Sequence, residues 1–216
     1  MNDEKETGRL EAFSDGVFAV AITLLVLNIK TDDANLWNQW PTLLGFVTSF
    51  ITVGIMWLNH HRLFTHIRRI DTMLILLNLL LLMVIVFVPV PTALLARFLP
   101  EADQPNQIRM AALAYSGTFL AMAVLFTALW RYATYHNRLL GKRADIKAVQ
   151  GIDRQYFFGP ALYMVCVVLA WLYVPASLFM LLALAIFFAL PGHALPQRGR
   201  APKEYRPDEE YRSSGD

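Results

Sequence analysis

Apolar residues gather in six stretches, at about 12–30, 40–60, 72–96, 109–132, 157–174 and 176–191, separated by segments that hold nearly all of the charge. The third, TMLILLNLLLLMVIVFVPVPTALLA, has no charged side chain across its 25 positions, 72–96. A bilayer core about 30 Å thick takes roughly 20 apolar residues as helix. A chain in hydrocarbon must also pair its own backbone polar groups, which a helix does. The pattern therefore predicts an all-α polytopic membrane protein with six spans. Pro89 and Pro91 predict a kink near the end of the third span, and Pro175 a tight hairpin between the last two. From about Leu195 the chain is polar and rich in Pro, Gly and charge. The expected organisation is thus a membrane domain over 1–192 and a disordered cytoplasmic tail over 193–216.

Composition agrees: of 216 residues, 56% are apolar and 17% charged, with a mean hydropathy of +0.41. Net charge of +2 says little, but its distribution is uneven. Sixteen of the nineteen Lys and Arg fall with the N terminus, the 61–71 and 131–155 segments and the tail; Lys30, Arg97 and Arg109 fall on the other side. Basic loops stay in the cytoplasm, so both termini are expected there, as an even number of spans requires. Mixed-sign charge at the N terminus argues against a signal peptide. The single cysteine, Cys166, excludes an internal disulfide. The basic and apolar 131–155 loop reads as an interfacial helix.

Several function classes leave marks that are missing here. There is no TVGYG-type carbonyl filter, no Walker A or HExxH sequence, and no helix with Arg at every third position. No span pairs a nucleophile with a base, so an enzyme is not expected, nor a cofactor, a metal site or a nucleic-acid partner. Channel, small transporter and membrane assembly protein remain. Among the spans, the fourth has the small residues that close helix packing wants; the third, fifth and sixth read as lipid-facing.

The first span is the unusual one. Its charge-free part, Gly16 to Ile29, covers 14 residues, about 21 Å of helix, too short for the bilayer core. The Phe13-Ser14-Asp15 end must be drawn in, and a carboxylate at membrane depth requires a partner or water. At 100° per residue Phe13, Val20, Leu24 and Leu27 form one aliphatic stripe, Thr23 sits on its shoulder, and Asp15 faces away from Phe13. An ordinary packing stripe, with Ser14 or Asp15 as N-cap, fits this wheel, and so does a stripe that lines water. The second span ends in WLNHHRLFTHIRR at the same face as the start of the first. Trp57, Asn59, His60, His61 and Arg62 should then meet Arg9, Ser14 and Asp15. A network joining Asp15 to a histidine, to the Trp57 indole or to Arg9 would lock the two helices.

Arg9-x-x-x-Phe13-Ser14-Asp15 resembles the RxxxFSD signature of the transmembrane protein 175 family, lysosomal potassium channels and their bacterial relatives. The segment GVFAVAITLLVLNIK that follows, Trp57 with a histidine after it, and the six-span layout also fit. The resemblance implies a potassium channel of the bacterial inner membrane: a homotetramer of single-repeat chains, with the first helix lining a pore at the axis. It further implies aliphatic constriction layers at Val20, Leu24 and Leu27 and a hydroxyl layer at Thr23, with potassium passing close to all four. The shorter Val20 lets Leu24 compete as the narrowest point. Arg9, Phe13, Ser14, Asp15, Trp57, His60 and His61 would form a structural clasp. The alternative is a proton-linked secondary transporter that uses Asp15 with His60 or His61, although neither inverted repeats nor broken helices are visible.

Overall fold

The structure, a computed structural model, describes residues 3–29, 39–100, 103–135, 139 and 146–189; the tail expected over 193–216 lies outside them. Helix α1 (Asp3–Leu24) is extended by a 3₁₀ turn (Leu25–Asn28). Then come α2 (Trp40–His66), α3 (Thr72–Phe87), α4 (Pro89–Phe98), α5 (Pro105–Thr134), α6 (Ile146–Leu172) and α7 (Val174–Ala189). Four stretches, Thr7–Leu27, Thr42–His66, Thr72–Phe98 and Pro105–Thr134, are long and apolar enough to cross a membrane. Tyr156–Leu172 and Val174–Ala189 are apolar but shorter. A short span is accommodated by local bilayer thinning or by neighbouring helices, and α6 itself continues through more polar turns.

Several boundaries differ from the sequence expectation for identifiable reasons. The first helix starts in the charged N-terminal segment, because Glu and Lys are good helix formers and acidic residues suit a first turn. Ser14 and Asp15 are therefore mid-helix, and neither is an N-cap. The second helix runs on to His66, so His60, His61 and His66 are helical and not beyond the span. Met56, His60, Leu63 and Ile67 are buried at helical spacing across that stretch, and no Gly or Pro interrupts it. The expected interfacial helix over 131–155 is replaced: Ile146 onward belongs to α6 and is continuous with the fifth span. Leu139 is buried, and its carbonyl accepts the amides of Arg68 at 2.9 Å and Arg69 at 3.3 Å.

The prolines act where expected. Pro89 and Pro91 have no N–H to give, and the third span breaks at Val88 between α3 and α4. The Val88 amide takes the Ile85 carbonyl at 3.1 Å, and the Thr92 amide closes on Val88 at 3.2 Å. Pro160, not anticipated from the sequence, lies inside α6 without ending it and, having no N–H, leaves the carbonyl of Tyr156 without its helical partner. The Thr127 hydroxyl of α5 lies 2.9 Å from that oxygen and 2.7 Å from its own Ala123 carbonyl, so one proton serves both.

Helix α5 packs against α3, α4, α6 and α7. Its small residues Ala111, Ala112 and Ser116 are buried, as close approach of helices in a membrane favours. Phe119, Tyr163 and Phe188 stack in sequence, with ring centroids 6.2 and 5.9 Å apart, and tie α5, α6 and α7 together. Helix α1 lies to one side of this assembly, against α2 and α3.

Thr127→Val should destabilise the protein by about 1 kcal/mol, the effect of an unpaired carbonyl. In a Pro160→Ala background, where the replacement supplies the missing backbone N–H, the loss should nearly vanish. Reversible unfolding in mixed micelles measures both; equal losses in the two backgrounds would contradict the pairing.

Candidate functional site

The two sides of α1 have different fates. Leu10, Ser14, Phe18, Ala21 and Leu25, spaced by four, four, three and four residues, are buried. Phe13, Val20 and Leu27 are 53%, 53% and 75% exposed, and Gly16 and Thr23 are exposed beside them. The chain therefore covers one side of its first helix and leaves the opposite side open. Leu24 is half-buried at the edge of the open side. From Leu25 the helix tightens to 3₁₀, in which residues three apart eclipse, so Leu27 stands over Leu24. The Thr23 hydroxyl donates to the Val20 carbonyl at 2.8 Å, which leaves its lone pairs directed outward.

The covered side is fixed by a chain of hydrogen bonds across three helices. Ser14 Oγ donates to the Leu10 carbonyl at 2.8 Å. Asn78 Nδ2, from α3, donates to Ser14 Oγ at 2.9 Å. The remaining amide oxygen, Asn78 Oδ1, lies 2.8 Å from His60 Nε2 of α2. With the Asn78 nitrogen and the Ser14 proton both engaged, His60 must be the donor at Nε2. Its ring stacks on Phe64 at 4.4 Å and meets Phe18 edge-on at 5.4 Å. Ser14, Asn78 and His60 are at most 1% exposed.

A second contact lies nearer the surface. Trp57 Nε1 donates to Asp15 Oδ1 at 2.7 Å, and His61 stacks against the Trp57 ring at 6.0 Å. Of the partners considered for Asp15, the structure selects the indole. Arg9 is not part of either group: it is exposed and has no hydrogen bond or ion pair to a described residue. Six helical residues separate it from Asp15 by about 120° around the axis, which turns it to the open side. Asp15 and His60 belong to separate bonded sets, so their pairing is not formed among the described residues, whereas His61 stands beside Asp15's partner Trp57 without a hydrogen bond to the carboxylate. Arg62 reaches the other way and donates to the Ala189 carbonyl at the end of α7, at 3.4 Å.

Sequence reasoning marks Asn78 as the main polar group of the third span, yet takes that span as lipid-facing and gives the amide no partner. The open side of that span is indeed apolar, with Met73, Leu76, Leu79, Leu80 and Met83 exposed, but Asn78 faces inward. One amide inside a long run of Leu and Ile is the available signal, since a polar group at that depth requires a partner.

Residues 9–89 match the family model described as endosomal/lysosomal potassium channel TMEM175. The chain is 46% identical over 202 residues to a potassium channel of Chamaesiphon minutus, covering 89% of this chain and 98% of that one. It is 42% identical over 204 residues to a potassium channel of Streptomyces collinus, covering 91% and 98%. Its fold is similar to the crystal structure of a lysosomal potassium-selective channel TMEM175 homolog from Chamaesiphon minutus, with a TM-score of 0.77 and 44% identity over 88% of this chain and 100% of that one.

Asn78→Leu keeps the volume but leaves Ser14 and His60 without their partner, and should destabilise the protein by about 2 kcal/mol. Trp57→Phe, at a more exposed contact, should lose only about 0.6 kcal/mol. Unfolding in lipid-containing micelles gives the order; a larger loss for Trp57→Phe would move the anchor of α1 to the Asp15 contact.

Proposed function

This chain belongs to the TMEM175 family of potassium channels, and we propose that it conducts potassium through a pore lined by the open side of α1, with filter and gate made of aliphatic rings. The observation that carries this reading is the composition of that side. The uncovered sides of α1 and α3 are both large, yet that of α3 is apolar beyond Thr72 at its first position, whereas that of α1 includes Asp15, Thr23 and Arg9. Carboxylate, hydroxyl and guanidinium groups facing lipid are costly; facing water at a symmetry axis they are not.

In this reading four copies pack around the axis in the cell membrane, with both termini in the cytoplasm and the whole of 1–192 acting as the channel domain. Asp15 lies towards the cytoplasmic mouth. Val20, Leu24 and Leu27 project rings of methyl groups, with the Thr23 hydroxyls between the first two. An ion crossing these rings must give up part of its hydration with only the Thr23 lone pairs to replace it. Potassium holds its water less tightly than sodium, so the passage penalises sodium more. The same rings close the path when they dewet. The Leu27 ring sits directly over that of Leu24, and the two together form one dry segment longer than either alone. The clasp of Ser14, Asn78 and His60 takes no part in conduction; it sets the rotation of α1 and therefore which side chains meet the axis.

Purified protein in a planar bilayer under opposed potassium and sodium gradients should reverse close to the potassium equilibrium potential. Leu24→Ala and Leu27→Asn should each raise relative sodium permeability several-fold and shift reversal towards zero. Absence of current, or unchanged selectivity in both variants, would remove the filter assignment.

A further inference from the structure

A cavity of about 310 Å³, with no residue of α1 in its lining, lies between α2, α4, α5, α6 and α7. Its walls are the first half of α2, the last turns of α4 and the first turns of α7. That is the end opposite the α1 N terminus, because Thr7 of α1 bonds to the Arg68 carbonyl just beyond the far end of α2. It is open to the surface, with Leu44, Leu99 and Phe179 exposed along it. We propose that this groove holds an acyl chain of a phospholipid from the leaflet opposite the N terminus, with its phosphate at Arg97.

The lining specifies a hydrocarbon. Its polar atoms are chiefly hydroxyls, and all of these but that of Tyr163 are already bonded within the protein. Thr48 Oγ1 donates to the Leu44 carbonyl at 2.8 Å, and Thr52 Oγ1 to the Thr48 carbonyl at 2.7 Å. Thr92 Oγ1 donates to the Val88 carbonyl at 2.9 Å and accepts from Ser49 at 2.9 Å, and Ser49 in turn pairs with the Tyr115 hydroxyl. A ligand with polar groups would find most of their hydrogens taken; a chain of methylenes requires none. Gly45 and Ala96 keep the floor low, since a Cβ on Gly45 would already touch Ala96 and Thr92 at 3.5 Å.

The rim specifies the headgroup. Trp40, at the start of α2, is half-exposed at the mouth, and tryptophan favours the level where hydrocarbon meets headgroups. Arg97 stands in the last turn of α4, between the lining residues Ala96 and Leu99 in sequence. Its guanidinium rests over the Phe98 ring at 5.2 Å and has no hydrogen bond or ion pair to a described residue. An exposed cation on the helix that walls an apolar slot is complementary to a phosphodiester on a hydrocarbon tail. The proposal depends on the membrane setting and not on the channel reading.

The test uses the full chain in vesicles of phosphatidylglycerol doped with phosphatidylglycerol that carries a diazirine midway along one acyl chain. After irradiation, label should be several-fold denser on the groove than on the open side of α3 at Leu79, Leu80 and Met83. Gly45→Leu from one wall, and Ala96→Phe from the other, should each cut groove labelling several-fold while α3 labelling stays constant, which also reports that the variants remain folded and embedded. Arg97→Gln should lower groove labelling about fivefold, the effect of one basic residue at an anionic surface. Equal labelling of groove and α3, or indifference to both filling variants, would overturn the proposal. So would an unlabelled groove whose Leu44→Cys and Phe179→Cys variants cross-link between subunits, because a second copy would then cover it. An unchanged Arg97→Gln variant would overturn the headgroup assignment.

Discussion

The interaction on which the rest depends is the amide of Asn78, which gives its nitrogen to Ser14 and receives His60 on its oxygen. A helix in a bilayer has little hydrophobic reason to prefer one rotation about its axis, because lipid tails are as apolar as leucine. Hydrogen bonds supply that preference. Once Ser14 is held by α3, and α3 by α2, the buried side of α1 is fixed, and the open side follows by geometry. Val20, Thr23 and Leu27 are uncovered because Ser14 is covered. The proposed conduction path is thus a consequence of a polar contact on the far side of the same helix.

The distribution of polar groups fits this division of labour. The three deeply buried members, Ser14, Asn78 and His60, form a closed set with one consistent direction of proton donation. Asp15 and Trp57 form a second set nearer the surface, which leaves the carboxylate beside the open side of α1. Family membership makes a potassium channel of this chain; the geometry says how an aliphatic helix could serve one. The polar groups on its open side, Asp15, Thr23 and Arg9, separate it from an ordinary lipid-facing span such as α3.

Much of this was legible in the sequence, and the remainder was hidden for physical reasons. Hydropathy located the four long spans and the two shorter apolar helices, and the prolines located the break at Val88, because chain length and the missing N–H act locally. The first-helix stripe was visible as a periodicity, but a wheel cannot tell a buried stripe from an open one; that depends on which helix its opposite side meets. Boundaries failed where charged residues continued a helix, at Asp3 and at His66, since hydropathy marks the membrane and not the end of hydrogen bonding. Arg9 was grouped with Asp15 on depth alone, whereas rotation about the axis separates them. The partners of Asn78 and the Thr127–Tyr156 contact were out of reach for the same reason: each is a meeting of residues far apart in sequence, set by packing.

The most direct measurement of the central claim is cysteine accessibility along α1 in the conducting protein, with the buried Cys166 replaced by Ser. Single cysteines at positions 20, 23 and 27 should react with a small thiol-reactive cation from the water and block the potassium current, and potassium itself should slow the reaction. Cysteines at 21 and 25, on the clasped side, should not react, nor should one at Met83 on the open side of α3. If 20, 23 and 27 stay unmodified, or are modified with no change in current, the open side of α1 does not line the path and the account is wrong.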